Sequence, residues 1–288
     1  MSTAIVGDIS VRRHPRLTAA SAQEGRSVLG TVALFQARDV MRSRWLAAYG
    51  IFFLVVTEGL LRFSGGDART ILSLSSIVLY VVPLVTLVFG TVYLYNAREF
   101  IELLLAQPVN RRGLFLGLFA GLAAPLLMAV VVGAGLPFLL HGFDDPAQRM
   151  MLVALLGTGV ALTLVFTAVA FCISLWTEDR LRGLGAAIGV WMLAAIIYDG
   201  LVMAAVAAFS DYPLERPMLV LTLANPIDLA RVTLLLQLDV SALMGYTGAV
   251  FQQFLGGVAG TVVAGTALLA WIVVPFSLGL RAFVRKDF

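Results

Sequence analysis

Long stretches without any charged side chain constrain the fold of this chain more than any other feature. Neither Ile71–Tyr95 nor Leu114–Leu140 contains Asp, Glu, Lys, Arg or His. Each stretch exceeds the roughly 20 helical residues that are needed to cross a hydrocarbon core of about 30 Å. Both stretches therefore predict transmembrane helices.

Six spans of this kind occur along the chain. They are Trp45–Leu61, Ile71–Tyr95, Leu114–Leu140, Met150–Thr177, Gly183–Ser210 and Val258–Leu280. Only the first and the fifth contain a charged residue, Glu58 and Asp199 respectively. The chain is 60% hydrophobic and 13% charged, whereas globular proteins carry about 25% charged residues. We therefore predict an all-α, polytopic membrane protein with six transmembrane helices.

Two segments precede the first span. Residues 1–27 are polar and rich in Ala, Ser and Arg, which predicts a disordered tail. Within Val28–Arg44, apolar residues recur near helical spacing before a group of arginines. This pattern predicts an amphipathic helix in the membrane interface, and a simple basic segment before a span is the alternative. Residues 28–288 then form one transmembrane domain.

The distribution of Lys and Arg predicts the orientation of the chain. With the N-terminus in the cytoplasm, 15 of the 20 Lys and Arg residues lie on the cytoplasmic side. The five on the external side are Arg62, Arg69, Arg149, Arg216 and Arg231. Because cytoplasmic loops carry the excess of basic residues, we expect both termini in the cytoplasm and the protein in a bacterial inner membrane.

The longest connection, Asp211–Gly257, is external in this orientation. Three parts of it are apolar, namely Leu219–Leu223, Val232–Leu238 and Ala249–Leu255. A connection of that length needs structure of its own. We expect short helices that pack on, or dip into, the outer membrane face.

Composition excludes several kinds of chemistry. Cys172 is the single cysteine, which excludes an internal disulfide and a multi-cysteine metal site. Lys286 is the single lysine and lies at the C-terminus, so the chain lacks the Gly-Lys-Ser/Thr sequence of a phosphate-binding loop. No hydrolase or metalloprotease motif supports a membrane-embedded enzyme. We expect no catalytic residue, metal ligand or cofactor here, and any ATP and Mg²⁺ would be bound by a separate polypeptide.

A short charged segment, Arg98–Arg112, separates the second and third spans. Arg98 and Glu102 are spaced i, i+4, and Pro108 ends the helical pattern. Two interpretations are open on physical grounds. The segment is either a solvated loop with a weak salt bridge or a helix that docks onto a soluble partner.

The sequence from Glu102 to Arg111, Glu-Leu-Leu-Leu-Ala-Gln-Pro-Val-Asn-Arg, resembles the segment after the second span of ABC-2 type permeases. In that family the segment is the coupling helix that sits on the ATPase subunit. Asn110 stands where the family has Ser, and Glu99-Phe100 stands where it has Gly-Thr. We refer to Arg98–Arg112 as the coupling segment. The resemblance implies that five of its residues contact a cytoplasmic ATPase: Arg98, Glu99, Glu102, Arg111 and Arg112.

A narrower resemblance involves the fifth span and the connection that follows it. Gly189-Val190-Trp191 with Asp199 eight residues later, and Asn225-Pro226-x-Asp228-x-x-Arg231, resemble the permease of the nitrous-oxide reductase maturation transporter. In that family the permease pairs with a cytoplasmic ATPase and a periplasmic β-helical protein. The complex supports assembly of the copper–sulfur centre of the reductase. The resemblance implies that Asn225, Asp228 and Arg231 dock an external partner.

The same three residues also have a structural interpretation. Asn225 is a good N-cap, and Pro226 suits the first position of a helix. Asp228 at the third position favours the helix dipole, and Arg231 follows at i+3. A helix cap therefore explains this motif without any partner, although the two interpretations are compatible.

Two carboxylates lie within predicted spans. Asp199 is roughly 24 Å from Gly183 at 1.5 Å per helical residue, which places it in the outer third of the bilayer. An intramembrane carboxylate is costly and often functional, so Asp199 is either part of a path or gate, a polar tie between helices, or exposed to external water. Glu58 is a second candidate for the same path or gate, but Arg62 at i+4 favours an ion pair at the helix end.

Together these patterns predict a permease subunit of an ABC transporter. It would work as a dimer of two permeases with two separate ATPase subunits, surrounded by membrane lipid and without a nucleic-acid partner. Two alternatives stay open. One is an exporter of lipid, polysaccharide or drug, and the other is an ATP-independent channel or membrane scaffold.

Overall fold

The computed structural model describes residues 30–64, 68–142, 146–209, 215–237 and 258–286. Its regular elements are helices throughout these ranges. They are α1 (30–41), α2 (Arg44–Ser64), α3 (Ala68–Asn96), α4 (Arg98–Leu105), α5 (Arg111–His141), α6 (Pro146–Trp176), α7 (Arg180–Met192), α8 (Tyr198–Ala208), α9 (Glu215–Ala224), α10 (Pro226–Gln237) and α11 (Val258–Arg285). A π-helical turn, Leu193–Ile197, joins α7 to α8. The predicted tail, 1–27, lies outside the described residues.

Six helical stretches of the described ranges are long and apolar enough to cross a membrane. They are Arg44–Phe63, Thr70–Asn96, Arg111–His141, Gln148–Trp176, Arg180–Ala208 and Val262–Arg285. The prediction of an all-α, polytopic membrane protein is confirmed. The fifth stretch runs through α7, the π turn and α8, so one span contains a change of helical geometry near its middle.

The threonines of α6 bond to their own helix. The hydroxyls of Thr158, Thr163 and Thr167 each donate to the carbonyl oxygen four residues earlier, at 2.6 to 2.8 Å. Such bonds satisfy the hydroxyl without a second helix. Since lipid offers no hydrogen bonds, this explains how α6 carries three threonines and still behaves as an apolar span.

The centre of the bundle is built from α3, α5 and α6. A group of aromatic rings closes it at one end, where the Phe115 ring lies 5.1 to 5.5 Å from those of Phe171, Phe276 and Phe283. Helix α2 approaches α5 closely at a glycine. A Cβ on Gly133 would lie 2.8 Å from the carbonyl oxygen of Gly50, so only glycine permits this approach.

Helix α1 packs on the outside of this bundle. Its Gln36 is buried, and the Tyr93 hydroxyl of α3 donates to the Gln36 side-chain oxygen. The Phe35 ring stacks on Phe100 of α4 with centroids 5.6 Å apart. Residues 30–41 are thus helical, within the range predicted as an amphipathic helix. Their position at a membrane interface stays a prediction.

Helices α9 and α10 form a hairpin that enters the bundle between the fifth and sixth spans. The Trp271 indole of α11 donates to the Leu223 carbonyl at 3.0 Å, and the Asn225 amide donates to the Ala194 carbonyl at 2.7 Å. Ala194 and Trp271 both lie near the middle of their spans. The turn of the hairpin therefore lies near mid-depth of the bundle. This agrees with the predicted short helices; the remainder of that connection, 238–257, is outside the described residues.

Candidate functional site

Helix α4 forms the first part of the coupling segment. The Arg98 guanidinium pairs with the Glu102 carboxylate at 3.1 Å across one helical turn. Ile101 is buried beneath the helix, whereas Leu103 is 70% exposed. Glu99 and Glu102 are exposed as well. The helix therefore anchors one face to the bundle and presents a mixed acidic and apolar face to the outside.

Asn110 begins the third span by capping α5. Its backbone is extended, and its side-chain oxygen accepts a hydrogen bond from the Arg112 backbone N–H at 3.0 Å. Asn and Ser are comparable N-caps because each supplies an oxygen to an unpaired N–H of the first turn. The replacement of the family's Ser by Asn110 therefore preserves the local structure.

Arg111 is held by the last helix of the chain. Its guanidinium donates to the carbonyl oxygens of Val284 and Lys286 at 3.0 and 3.1 Å. Val284 lies in the last turn of α11, where a helix leaves its carbonyl oxygens unsatisfied, and Lys286 directly follows the helix. Arg111 is half-buried in this contact, whereas Arg112 is exposed. Of the two arginines predicted to contact an ATPase, Arg112 has the more accessible side chain.

The end of α3 and the coupling segment both contact the turn between α6 and α7. The Tyr95 hydroxyl donates to the Thr177 carbonyl at 2.9 Å, and Arg98 donates to the Glu178 carbonyl at 3.4 Å. Lys286 donates to the Leu175 carbonyl at 2.8 Å. Burial lowers the pKa of the Lys286 ammonium and the Arg98 charge lowers it further, while Glu178 raises it. The ends of four helices are therefore joined at the end of the bundle that carries α4.

A second polar group joins the second and fifth spans to the hairpin, and we call it the polar cluster: Tyr80, Asp199, Asn225, Asp228 and Arg231. The Arg231 guanidinium donates to both oxygens of Asp199, at 3.3 and 3.1 Å, and to the Tyr80 hydroxyl at 2.9 Å. It also lies 3.1 Å from an oxygen of Asp228. The cluster ties α3, α8 and α10 together with one guanidinium and two carboxylates.

Asn225 links this cluster to the π turn. Its side-chain oxygen accepts from the Ile227 backbone N–H at 3.1 Å, which confirms the predicted N-cap. Its amide donates to Asp228 at 3.0 Å and to Ala194 in the π turn at 2.7 Å. A π turn is rare and often occurs at functional sites. The amide of Asn225 therefore joins the hairpin directly to the irregular part of the fifth span.

The sequence allows Asp199 a place in a path or in a tie between helices, and it allows Asn225, Asp228 and Arg231 a helix cap or an external docking surface. The structure brings all four residues together. Asn225 is 2% exposed and Asp228 is 9% exposed. Their side chains are turned into the chain and offer little surface to an external partner as they stand. The docking role stays a prediction that would require these side chains to be uncovered.

Sequence analysis missed Tyr80 and the π turn. Tyr80 lies in an otherwise apolar part of α3, and a buried tyrosine hydroxyl usually finds a partner. Its carbonyl also accepts from the Trp191 indole at 3.0 Å. The residues of the π turn, Leu-Ala-Ala-Ile-Ile, carry no signal that distinguishes them from ordinary helix.

Glu58 lies at the opposite end of the bundle from α4. The Arg62 guanidinium donates to its carboxylate at 2.7 Å, and a ring nitrogen of His141 lies 3.7 Å from its other oxygen. The ion pair predicted at this helix end is confirmed. No described contact connects Glu58 to the polar cluster among the residues that the structure covers.

A small cavity adjoins the polar cluster. It has a volume of about 230 Å³, and both Tyr80 and Arg231 line it. Ser75 and Ser76 of α3 face the same space. The guanidinium therefore has a polar opening beside it, although Asp199 and Asp228 already occupy its charged contacts.

Comparisons with known proteins agree with this architecture. Residues 31–288 match the family described as ABC-2 family transporter protein. The chain is 28% identical over 275 residues to a protein of Stutzerimonas stutzeri named "Probable ABC transporter permease protein NosY", covering 88% of this chain and 97% of that relative. A Pseudomonas aeruginosa protein of the same name is 27% identical over 234 residues, covering 76% of this chain and 85% of the relative. With its match over nearly the whole length and its six apolar helices, the chain belongs to the ABC-2 family of transporter proteins, as the permease subunit of an ABC transporter.

Proposed function

We propose that this permease converts a push on the coupling segment into movement of its fifth span, in a transporter that supports nitrous-oxide reductase maturation. The observation that carries the proposal is the two-sided character of α4. Ile101 is buried in the bundle, whereas Glu99, Glu102 and Leu103 are exposed. An exposed apolar side chain between carboxylates is suited to a soluble partner that offers basic residues and an apolar recess.

The contacts of the coupling segment provide a route for the movement. A displacement of Arg98 and Tyr95 acts on Thr177 and Glu178, which lie immediately before α7. Only 6% of the fifth span is buried in the chain, against 50% or more for the second, third and fourth. A loosely packed span moves at lower cost than the closely packed centre, because fewer apolar contacts must be broken.

The route ends at the polar cluster, to which the fifth span contributes Asp199. Asp199 lies on α8, beyond the π turn, and its partner Arg231 lies on the hairpin. We propose that Asp199 and Arg231 act as the gate. Movement of the fifth span would separate or realign the pair, and thereby release or hold the hairpin between the fifth and sixth spans.

The proposed assembly contains two copies of this permease and two ATPase subunits. The ABC-2 family implies association with an ABC ATPase, and we propose that this ATPase binds the ATP and Mg²⁺. Both termini would be cytoplasmic. The maturation role and an external partner protein are supported by the motifs around Asp199 and Asn225, and by the overall similarity to relatives named NosY.

The substitution Glu102→Arg tests the docking surface. It reverses an exposed charge whose only described partner is Arg98, so insertion and folding should persist, since such surface pairs contribute about 0–1 kcal/mol. We expect loss of ATPase co-purification, and loss of nitrous-oxide reductase maturation in cells. Arg62→Glu is the matched control, because it disrupts another exposed i, i+4 pair at the opposite end of the bundle.

A Glu102→Arg complex that keeps its ATPase and its activity would remove the proposed docking surface. If Glu102→Arg loses the ATPase and the cellular function that is lost is not reductase maturation, the proposed docking surface stands and the role in maturation is excluded.

A further inference from the structure

An apolar groove runs between α2 and α5, away from the polar cluster and from the coupling segment. Its volume is about 390 Å³. Its floor consists of small residues, Ala47, Gly50, Ala129 and Gly133. Its walls are larger apolar side chains that are about half exposed, and they are Met41, Ile51, Leu54, Met128 and Val132. The groove is therefore narrow, apolar and open along its side.

The dimensions of the groove correspond to part of one leaflet. On α2 the lining extends from Leu46 to Leu54, which is about 12 Å at 1.5 Å per residue. One leaflet contributes about 15 Å of hydrocarbon, half of a core of about 30 Å. An extended acyl chain is the ligand that fits such a slot parallel to the helices.

Basic side chains surround one end of the groove. Arg42 directly follows Met41 in the chain, Arg44 is two residues before Leu46, and Arg38 is one helical turn before Arg42. All three are exposed, and none forms an ion pair with another residue of the described ranges. Within the part of the chain that the structure describes, Asp39 is the carboxylate adjacent to these arginines in sequence, and its oxygen lies 3.3 Å from the Tyr93 hydroxyl. An excess of positive charge therefore remains at the mouth of the groove.

Trp45 lies at the same level and is 78% exposed. Exposed tryptophan at a helix end is typical of the boundary between headgroups and hydrocarbon. The arginines at 38, 42 and 44 are thus placed at headgroup depth, while the groove runs from them into the hydrocarbon.

We infer that this groove binds an anionic phospholipid of the leaflet that contains the start of α2, which is the cytoplasmic leaflet in the predicted orientation. The phosphate and the anionic headgroup bind Arg42 and Arg44, and one acyl chain lies over Gly50 and Ala129. The combination of an apolar slot and unpaired arginines at its end favours this ligand. A purely apolar partner would leave the arginines without counter-charges.

Lipid retention measures this binding directly. The purified full-length permease would be exchanged into nanodiscs of dioleoylphosphatidylglycerol mixed with dioleoylphosphatidylcholine, and the lipids retained after release would be counted by native mass spectrometry. We expect preferential retention of phosphatidylglycerol. Arg42→Gln with Arg44→Gln should weaken it by about fivefold for each arginine, the factor that corresponds to about 1 kcal/mol per basic residue near an anionic surface.

Two further variants separate a built site from general attraction. Arg180→Gln with Arg182→Gln removes the same charge from exposed positions at the same end of the bundle, and it should leave retention unchanged. Ala47→Leu keeps every charge and fills the floor of the groove, and it should reduce retention. The melting temperature of each variant checks that it is folded.

Several results would overturn the inference. Equal retention of the two lipids by the wild type, or equal losses in the two double-arginine variants, would show general surface attraction only. Efficient disulfide crosslinking of an Ile51→Cys variant between two chains would show that a second copy covers the groove instead.

Discussion

The Arg98–Glu102 and Arg231–Asp199 ion pairs have the same N–O distance of 3.1 Å and are both partly exposed, but they differ in the groups around them. The first pair lies on the surface of α4, with water available to both groups. The second shares its guanidinium with Tyr80 and Asp228 inside the spans. An exposed pair contributes about 0–1 kcal/mol. Arg231 also pairs with Asp228, whose side chain is 12% exposed, and a buried carboxylate left without its cation costs about 3–5 kcal/mol. The distance alone therefore says little about what an ion pair does.

The two regions also differ in what their charges are available for. Glu99, Glu102 and Arg112 are exposed and can meet a second protein without rearrangement. Arg231 is committed to carboxylates of its own chain. The charges at the α4 end of the bundle are thus accessible to a partner, whereas the charges of the polar cluster are paired within the chain.

The largest expected effect is on stability, from Arg231→Leu compared with Arg98→Leu. Arg231→Leu leaves Asp199 and Asp228 without their cation, and we expect a loss of about 3–5 kcal/mol. Arg98→Leu should change the free energy of unfolding by less than about 1 kcal/mol. Thermal unfolding of both variants in the same detergent gives the comparison. Equal shifts in melting temperature would show that Arg231 contributes no more to stability than Arg98 does.

The two asparagine N-caps, Asn225 and Asn110, test the same difference between the polar cluster and the α4 end of the bundle. Asn225→Ala removes an N-cap and also the bonds to Ala194 and Asp228, so we expect a loss of about 2 kcal/mol or more. Asn110→Ala removes only an exposed cap, and the loss should be about 1 kcal/mol. Unfolding measurements on both variants, with Asn110→Ser as a near-neutral reference, provide the test. A larger effect at Asn110 would contradict the ranking.

Substitutions of Asp199 distinguish a role in a gate from a role as a tie between helices. Asp199→Asn keeps the size and a hydrogen-bond acceptor for Arg231, so the protein should fold while transport or reductase maturation falls. Asp199→Leu should lower stability, by about 1 kcal/mol for the lost hydrogen bonds alone. Melting temperature and activity are measured on both variants. Full activity of Asp199→Asn would leave only the structural role, and a stable, active Asp199→Leu would exclude both roles.

The smallest expected effect concerns Arg62. Arg62→Gln removes an exposed i, i+4 partner of Glu58, and such pairs contribute about 0.2–0.5 kcal/mol. His141 remains near the carboxylate, which limits the loss further. A shift in melting temperature as large as that of Arg231→Leu would mean that Glu58 has a structural role which its described contacts do not explain.

Hydrophobic length and the charges between spans were sufficient to predict the membrane helices and the short charged helix between the second and third of them. Both signals are local in sequence. The polar cluster is not local: Arg231 lies 32 residues from Asp199 and 151 residues from Tyr80. Periodicity cannot report such contacts, so Asp199 and Arg231 were assigned to different roles. Arg111 illustrates the same limit, because its partners at the end of α11 are more than 170 residues away.

The π turn rotates the side chains of the second half of the fifth span about the helix axis, relative to those of the first half. In an uninterrupted α-helix, Trp191 and Asp199 would point roughly 80° apart, since each residue turns the helix by about 100°. The wider turn at Leu193–Ile197 holds an additional residue and brings both side chains towards the same neighbour. Accordingly, Trp191 donates to the Tyr80 carbonyl, while Asp199 meets Tyr80 through Arg231. If the turn tightened to α geometry, Asp199 would rotate away from Arg231 while Trp191 kept its contact. One span could thus change the half that follows the π turn and leave the half before it in place.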